Sequence, residues 1–145
     1  MDKSAILHMP SKKQIPLQGL VIFAKNKDQV SAFYKQALEL EARESEKTHD
    51  LLVGHGHEVV VHAISKAYAD SIEISSPPTP TPRQETPLKP TFVVKDLEVV
   101  RAAAKKTGGF LKPLKQAWRF RGFIVLDGWD PEGNVVQFKQ IDQNT

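Results

Sequence analysis

Apolar and polar positions change their period several times along the chain, and these changes divide it into strands and helices. The segment from Leu17 to Lys25 is rich in large apolar and β-branched residues and predicts a strand. The apolar positions that follow have the spacing of a buried helical stripe: Val30, Phe33, Tyr34, Ala37 and Leu38. Asn26 is expected to cap this helix, with Gln29 completing a capping box.

Three short strands are predicted after this helix, over residues 39–46, 50–54 and 58–64. His55, Gly56 and His57 separate the last two and predict a hairpin turn. Residues 72–88 are dense in proline, which helices and interior strands do not tolerate, so an exposed connector is expected there. Residues 1–16 are expected to form a loose leader.

The second half of the chain repeats this plan. A strand over Thr91–Val94 precedes a helix capped by Asp96 and stopped by Gly108, and strands are predicted over 110–114, 119–126 and 134–141. Positions 26, 30, 33 and 34 shifted by 70 residues fall on Asp96, Val100, Ala103 and Ala104, so cap matches cap and stripe matches stripe.

The repeat predicts an α+β fold made of two βαβββ modules in one domain, residues 17–141. Module one covers 17–66, a proline-rich linker covers 67–88, module two covers 89–141 and a tail covers 142–145. Each helix has one apolar face and must pack on one face of a sheet, which leaves the opposite sheet face free to curve around a ligand.

Composition excludes several classes of function. The chain of 145 residues is 40% hydrophobic and has no cysteine, so it has no disulfides, thiolate metal sites or catalytic thiols. Its net charge of +3 comes from scattered lysines, and no nucleic-acid partner is expected. No apolar run has the length of a membrane span or a secretory signal, so no membrane partner and a cytoplasmic location are expected.

Three motifs carry a resemblance to a known superfamily. They are Gly19–Ala24 followed by Phe33-Tyr34, Phe92–Leu97 followed by Gly108-Gly109, and the sequence DPEGNVVQF from Asp130 to Phe138. In order and spacing they resemble the vicinal oxygen chelate superfamily, which includes glyoxalase I, bleomycin resistance proteins and extradiol dioxygenases. The resemblance covers residues 17–141 and implies paired sheets that form a curved cup, helices on its convex side, and a homodimer.

The resemblance also assigns four positions at which metal-binding members place ligands. In this chain those positions are Gly19, His62, Lys89 and Gln137. Glycine has no donor atom and lysine is a poor ligand, which leaves His62 with the weak partner Gln137. Catalytic metal sites of this kind have three protein ligands. No cofactor is therefore expected, and a divalent metal, if one binds, is expected at His62 and Gln137.

His62, Gln137 and Lys89 are expected to line the cup, together with the cluster Trp118, Arg119 and Arg121. Strand alternation places Trp118 and Phe120 on one face and the two arginines on the other. Aromatic rings stack on planar ligands, and arginines bind carboxylates or phosphates. The simpler alternatives are a packed edge strand with solvated arginines, a satisfied strand histidine and a solvated lysine.

Two further features belong to the DPEGN segment. Trp129 either covers the mouth of the cup or anchors the turn. Asp130 and Glu132 are interpreted as turn residues and not as a catalytic pair.

Three functions remain open on the sequence. The first is a protein that binds a small, planar or anionic molecule in the cup, without metal and without turnover. The second is a metal-dependent lyase, isomerase or dioxygenase whose site is completed across a subunit interface. The third is a regulatory or interaction module that has lost the pocket.

Overall fold

A computed structural model describes residues 17–74, 80–83 and 85–144, which form the two predicted βαβββ modules. Module one contains β1 (Gln18–Ala24), α1 (Lys27–Ala37), β2 (Glu41–Ser45), β3 (His49–Gly54) and β4 (His57–Ala63). A short helix, α2 (Lys66–Ser71), follows it. Module two contains β5 (Thr91–Val94), α3 (Leu97–Thr107), β6 (Phe110–Leu111), a 3-10 turn (Leu114–Gln116), β7 (Trp118–Phe120), β8 (Phe123–Trp129) and β9 (Val135–Ile141). The α+β prediction is confirmed, and the predicted leader lies outside the described residues.

The strands form two separate sheets. Sheet one has the order β1-β4-β3-β2, and sheet two has the order β5-β9-β8-β6 with β7 also paired to β8. In each module the first and last strands run parallel and the others antiparallel. Across the described residues no strand of sheet one pairs with a strand of sheet two. No helix in the same residues is long and apolar enough to cross a membrane.

Helix α1 begins where the sequence predicts, but its cap is completed from the other module. The Asn26 side chain accepts a hydrogen bond from the Gln29 backbone N–H at 3.2 Å, as predicted. The second bond of the predicted capping box, from the Asn26 backbone N–H to the Gln29 side chain, is wrong. The Asn26 N–H donates instead to Glu132 Oε2 at 2.7 Å. The Gln29 side chain donates instead to the Thr107 carbonyl at 2.8 Å, so α1 is tied to module two.

Two other local predictions are corrected. The single strand predicted over 119–126 is wrong, because the chain reverses at Arg121 and Gly122, with φ angles of 49° and 83°. This left-handed pair is the conformation of a two-residue hairpin turn, and it folds β7 back on β8. The predicted linker also contains helix α2, which Ser65 caps by accepting from the Tyr68 N–H at 3.3 Å.

Helices α1 and α3 pack into one core that lies between the sheets. On α1, Phe33 contacts Phe138 of sheet two with a ring-centre distance of 6.4 Å, and Tyr34 contacts Phe92 at the same distance. Helix α1 also packs along α3 and against β3 and β4. The helix-facing sides of both sheets are therefore buried in a shared core. The opposite sides face away from the helices, and we call them the open faces.

A buried carboxylate fixes α1 to sheet one. Asp50 on β3 accepts hydrogen bonds from the Ser31 hydroxyl at 2.6 Å, the Ser45 hydroxyl at 2.7 Å and Lys27 Nζ at 3.0 Å. Burial alone would raise the pKa of Asp50, but these hydrogen bonds and the Lys27 charge outweigh it and lower the pKa. The cluster is a structural anchor on the helix side of the sheet.

Candidate functional site

Three of the predicted ligand contacts meet on the open face of sheet two. Lys89 Nζ lies 2.9 Å from Asp127 Oδ2 and 6.0 Å from the centre of the Trp118 ring. Gln137 Nε2 lies 3.4 Å from Asp127 Oδ1, and Gln137 Oε1 accepts from the Thr91 hydroxyl at 3.3 Å. Asp127 therefore joins Lys89 to Gln137 and holds the lysine beside an aromatic ring.

The same open face carries exposed aromatic side chains. Trp118 and Phe120 are 42% and 48% exposed. The ammonium group of Lys139 lies 5.8 Å from the ring centres of both Phe120 and Phe123. Aromatic faces flanked by cations suit a planar ligand that carries negative charge.

Of the two predicted arginines, Arg121 lies beside an exposed aromatic ring of this face and Arg119 does not. Arg119 pairs with Ile124 in the β7–β8 ladder, on the helix-facing side, and its Nε lies 2.9 Å from the buried Asp142 Oδ2. Arg121 lies in the hairpin turn, with its guanidinium 5.2 Å from the Phe120 ring. The expected alternation holds for Arg119 and fails for Arg121, because the turn ends the strand.

His62 lies on the open face of sheet one, away from Gln137. Its Nδ1 donates to the Ala63 carbonyl at 2.8 Å, so Nε2 carries the lone pair in the neutral ring. The ring lies 5.8 Å from Phe23 and stacks on His49 at 6.2 Å. The amide of Gln137 bonds to Thr91 and Asp127, so it does not pair with His62 within one chain.

His49 and Glu44 are neighbours of His62 that the sequence did not single out. His49 Nε2 donates to Glu44 Oε1 at 2.9 Å. His49 pairs directly with His62 in the β3–β4 ladder, so both rings point to the open face. Strand alternation along β3 would have placed His49 on the same face as His62, but only with knowledge of how β3 pairs with β4.

A cavity of about 590 Å³ opens beside sheet two, and we call it the linker pocket. The proline-rich linker forms one side of it, through Pro82, Arg83, Thr86 and Leu88. Arg83 fixes this linker to the DPEGN turn, since its backbone N–H donates to the Gly133 carbonyl at 2.7 Å. The remaining described lining residues are Lys89, Lys112, Trp129 and Val135.

The carboxylates of the DPEGN turn hold the two modules together. Asp130 Oδ1 accepts from the backbone N–H groups of Glu132 and Asn134 at 2.8 and 3.1 Å. Its Oδ2 accepts from the Tyr34 hydroxyl and from Asn134 Nδ2, both at 2.8 Å. Glu132 accepts from the backbone N–H groups of Lys25 and Asn26 at 2.8 and 2.7 Å. These oxygens are occupied by structural hydrogen bonds.

Burial also shifts the pKa values of Asp130 and Tyr34. Desolvation raises the pKa of Asp130, against the hydrogen bonds that Asn134 and Tyr34 donate. Desolvation, and then the nearby charge of Asp130, raises the pKa of Tyr34. Tyr34 therefore remains a protonated donor to Asp130.

Comparison with solved structures identifies the fold, while no family model and no curated protein matches the sequence. A glyoxalase/bleomycin resistance protein/dioxygenase family enzyme from Burkholderia phytofirmans PsJN superposes with a TM-score of 0.60 at 19% identity, covering 87% of this chain and 98% of that one. The fosfomycin resistance protein FosX from Listeria monocytogenes gives 0.58 at 13% identity, covering 90% and 97%. The chain has the vicinal oxygen chelate fold. A glyoxalase/bleomycin resistance protein/dioxygenase from Alicyclobacillus acidocaldarius gives 0.56 at 17% identity, covering 94% and 97%.

Of the four expected ligand positions, Gly19 and His62 lie in sheet one. Gln137 lies in sheet two, and Lys89 lies beside it, before β5. Gly19 has no side chain, and Lys89 is paired with Asp127. In the part of the chain that the structure describes, no three His, Cys, Asp or Glu residues are grouped to hold a metal. The donor set of one chain does not fit a three-ligand metal centre.

Proposed function

We propose that the chain is a binding protein for a small, planar or anionic molecule, held on the open face of sheet two without a metal. The observation that supports this proposal is the exposed ring of Phe120, with the ammonium group of Lys139 at 5.8 Å from its centre. Lys139 forms no ion pair with any residue that the structure describes, so its charge is available to an anionic group, and the aromatic face supports a planar body. Binding without turnover requires no catalytic group and no metal in addition.

A metal-dependent lyase, isomerase or dioxygenase is the second candidate. The feature that favours it is His62, whose Nδ1–H is fixed on the Ala63 carbonyl so that Nε2 is the ligating nitrogen. Its metal would need Gln137 from another copy of the chain. The third candidate, a regulatory module without a pocket, requires both open faces to be filled by a partner.

Metal content separates the first two candidates. We expect purified, tag-free protein to contain no stoichiometric Ni, Zn, Mn or Fe, and we expect the melting temperatures of wild type and His62→Ala to respond equally to added metal. A resident metal at 100 times its Kd would add about 2.7 kcal/mol to the stability, so its loss would be evident. Elemental analysis and thermal unfolding measure both quantities.

The matched control is His55→Asn, which removes an exposed histidine at a left-handed position that asparagine tolerates. Stoichiometric metal that is lost in His62→Ala and kept in His55→Asn would contradict the metal-free proposal. It would establish the enzyme candidate in its place.

We also propose a homodimer, in which sheet one of one copy and sheet two of the other form the cup. The open faces expose apolar side chains, Val21 and Phe23 on sheet one and Val93, Trp118, Phe120 and Ile141 on sheet two. Exposed apolar patches of this kind mark association surfaces. Their charges are also complementary: sheet one presents Glu41, Glu44 and Glu58, and sheet two presents Lys89 and Lys139.

A charge of the same sign as the facing sheet is expected to dissociate this dimer. Phe23→Lys would face the lysines of sheet two and Phe120→Glu would face the carboxylates of sheet one, so each should weaken dimerisation about 100-fold or more, which is about 2.7 kcal/mol. Tyr68→Lys is the control, because Tyr68 is 72% exposed on α2, outside both open faces. Sedimentation velocity across a concentration series gives the dimer Kd. A monomeric wild type, or a dimer that survives both changes, would refute the arrangement.

A further inference from the structure

The linker pocket carries positive charge that the carboxylates of the described residues do not fully neutralise. Of its three cations, Lys89 is paired with Asp127. Arg83 and Lys112 form no ion pair with any residue that the structure describes. None of the described lining residues is a carboxylate. The pocket is therefore suited to an anion.

Trp129 contributes its indole ring to the lining of the pocket. Its Nε1–H is buried, so a molecule in the pocket contacts the ring and not this donor. The Trp129 ring stacks on Phe110 at 4.4 Å, which fixes its orientation.

The remaining walls are apolar. Pro82 and Leu88 come from the linker and Val135 from β9, and with the Trp129 ring they provide surface for a hydrocarbon body. The volume of about 590 Å³ is in the range of small-molecule sites. An inorganic anion would leave these walls in water, whereas an amphiphilic organic anion would cover them.

We propose that the linker pocket is the subsite for a planar aromatic carboxylate. Arg83 and Lys112 bind the carboxylate, and the apolar walls, with the Trp129 ring, cover the aromatic body of the ligand. This assignment rests on the proposed binding function and specifies both the chemical class of the ligand and its location. Lys89 lines the pocket and also contacts Trp118, so it connects this subsite to the centre of the open face.

The two tryptophans of the chain allow a direct test by NMR. Their indole N–H signals in the ¹⁵N-labelled full chain are assigned with Trp118→Phe, and 2-naphthoate is the probe. We expect a saturable shift of the Trp129 signal. The uncharged isostere 2-naphthamide and inorganic phosphate should each bind at least ~10-fold more weakly, because each lacks one half of the recognised chemistry.

The double variant Arg83→Gln/Lys112→Gln should weaken 2-naphthoate at least ~10-fold, while Lys106→Gln, an exposed lysine in the last turn of α3, should leave it within about 2-fold. Unchanged dispersion of the remaining amide signals shows that both variants are folded. Equal affinity for 2-naphthamide would overturn the anion site, and equal affinity for phosphate would overturn the aromatic ligand. A response of Trp118 alone would overturn the linker subsite but leave the proposed function standing. No response from either tryptophan would overturn both.

Discussion

Asp130→Ala is expected to lower the free energy of unfolding by about 3–5 kcal/mol, a large fraction of the total for a domain of this size. Asp130 is fully buried and accepts hydrogen bonds from the Tyr34 hydroxyl, the Asn134 side chain and two backbone N–H groups. Alanine leaves all of these donors unpaired, including the tie between the modules. Urea denaturation followed by circular dichroism measures the loss.

Two milder variants control this prediction. Asp130→Asn keeps one oxygen for the backbone donors, and Tyr34→Phe removes one hydrogen bond for about 1–2 kcal/mol. Because folding raises the pKa of Asp130, the stability of the protein depends on pH. The contribution of Asp130 to the free energy of unfolding is complete below its unfolded-state pKa and decreases as the pH rises through its folded-state pKa. Asp130→Asn should lack that decrease. A loss below about 1 kcal/mol in Asp130→Ala would show that the turn is not the tie we describe.

Phe33→Ala is expected to cost about 3–5 kcal/mol, because it opens a cavity where the two modules meet. The Phe33 side chain is fully buried and contacts Tyr34 at 5.1 Å and Phe138 at 6.4 Å between ring centres. Gly109 lies against the Phe33 ring, and a Cβ there would be 2.6 Å from Phe33 Cε1. Because glycine has no side chain that could move into the space, the cavity would not be filled from this side. Thermal and urea unfolding both report the loss.

Phe23→Ala makes the same truncation on the other side of sheet one. Phe23 is 65% exposed on the open face, so its loss should change monomer stability by less than about 0.5 kcal/mol. The comparison is made in the Phe120→Glu background, where the dimer does not contribute. Equal losses for the two phenylalanines would show that the open face is buried in the monomer.

The elements that could be predicted from sequence are those fixed by local chemistry. The apolar stripe of α1, the caps Asn26 and Asp96 and the left-handed Gly108 all depend on neighbours within a few residues. The turn at Arg121-Gly122 was missed because arginine has no preference for a left-handed φ, and a lone glycine in an apolar run marks either a turn or a bulge. The bond from Asn26 to Glu132 spans 106 residues, and no local pattern predicts it.

The residues of the candidate site also divide into those that could be predicted from the sequence and those that could not. The family resemblance placed His62 and Gln137 in the cup, and in the structure the two side chains lie on the open faces of sheet one and sheet two. Their roles in ligand binding remain predictions. Asp127 was missed because Lys89 lies 38 residues away from it. The linker pocket was missed because a proline-rich segment has no periodicity from which its packing can be inferred.

The contacts from α1 to the DPEGN turn also determine how the duplicated halves depend on each other. Tyr34 and Asn26 in the first half use Asp130 and Glu132 in the second half as partners, and Phe33 packs on Phe138. Either half alone would leave these donors unpaired and expose one side of the core. The repeats are therefore obligate complementary fragments, joined by the proline-rich connector. A proteolytic nick in that connector would leave a non-covalent two-fragment particle with the native fold.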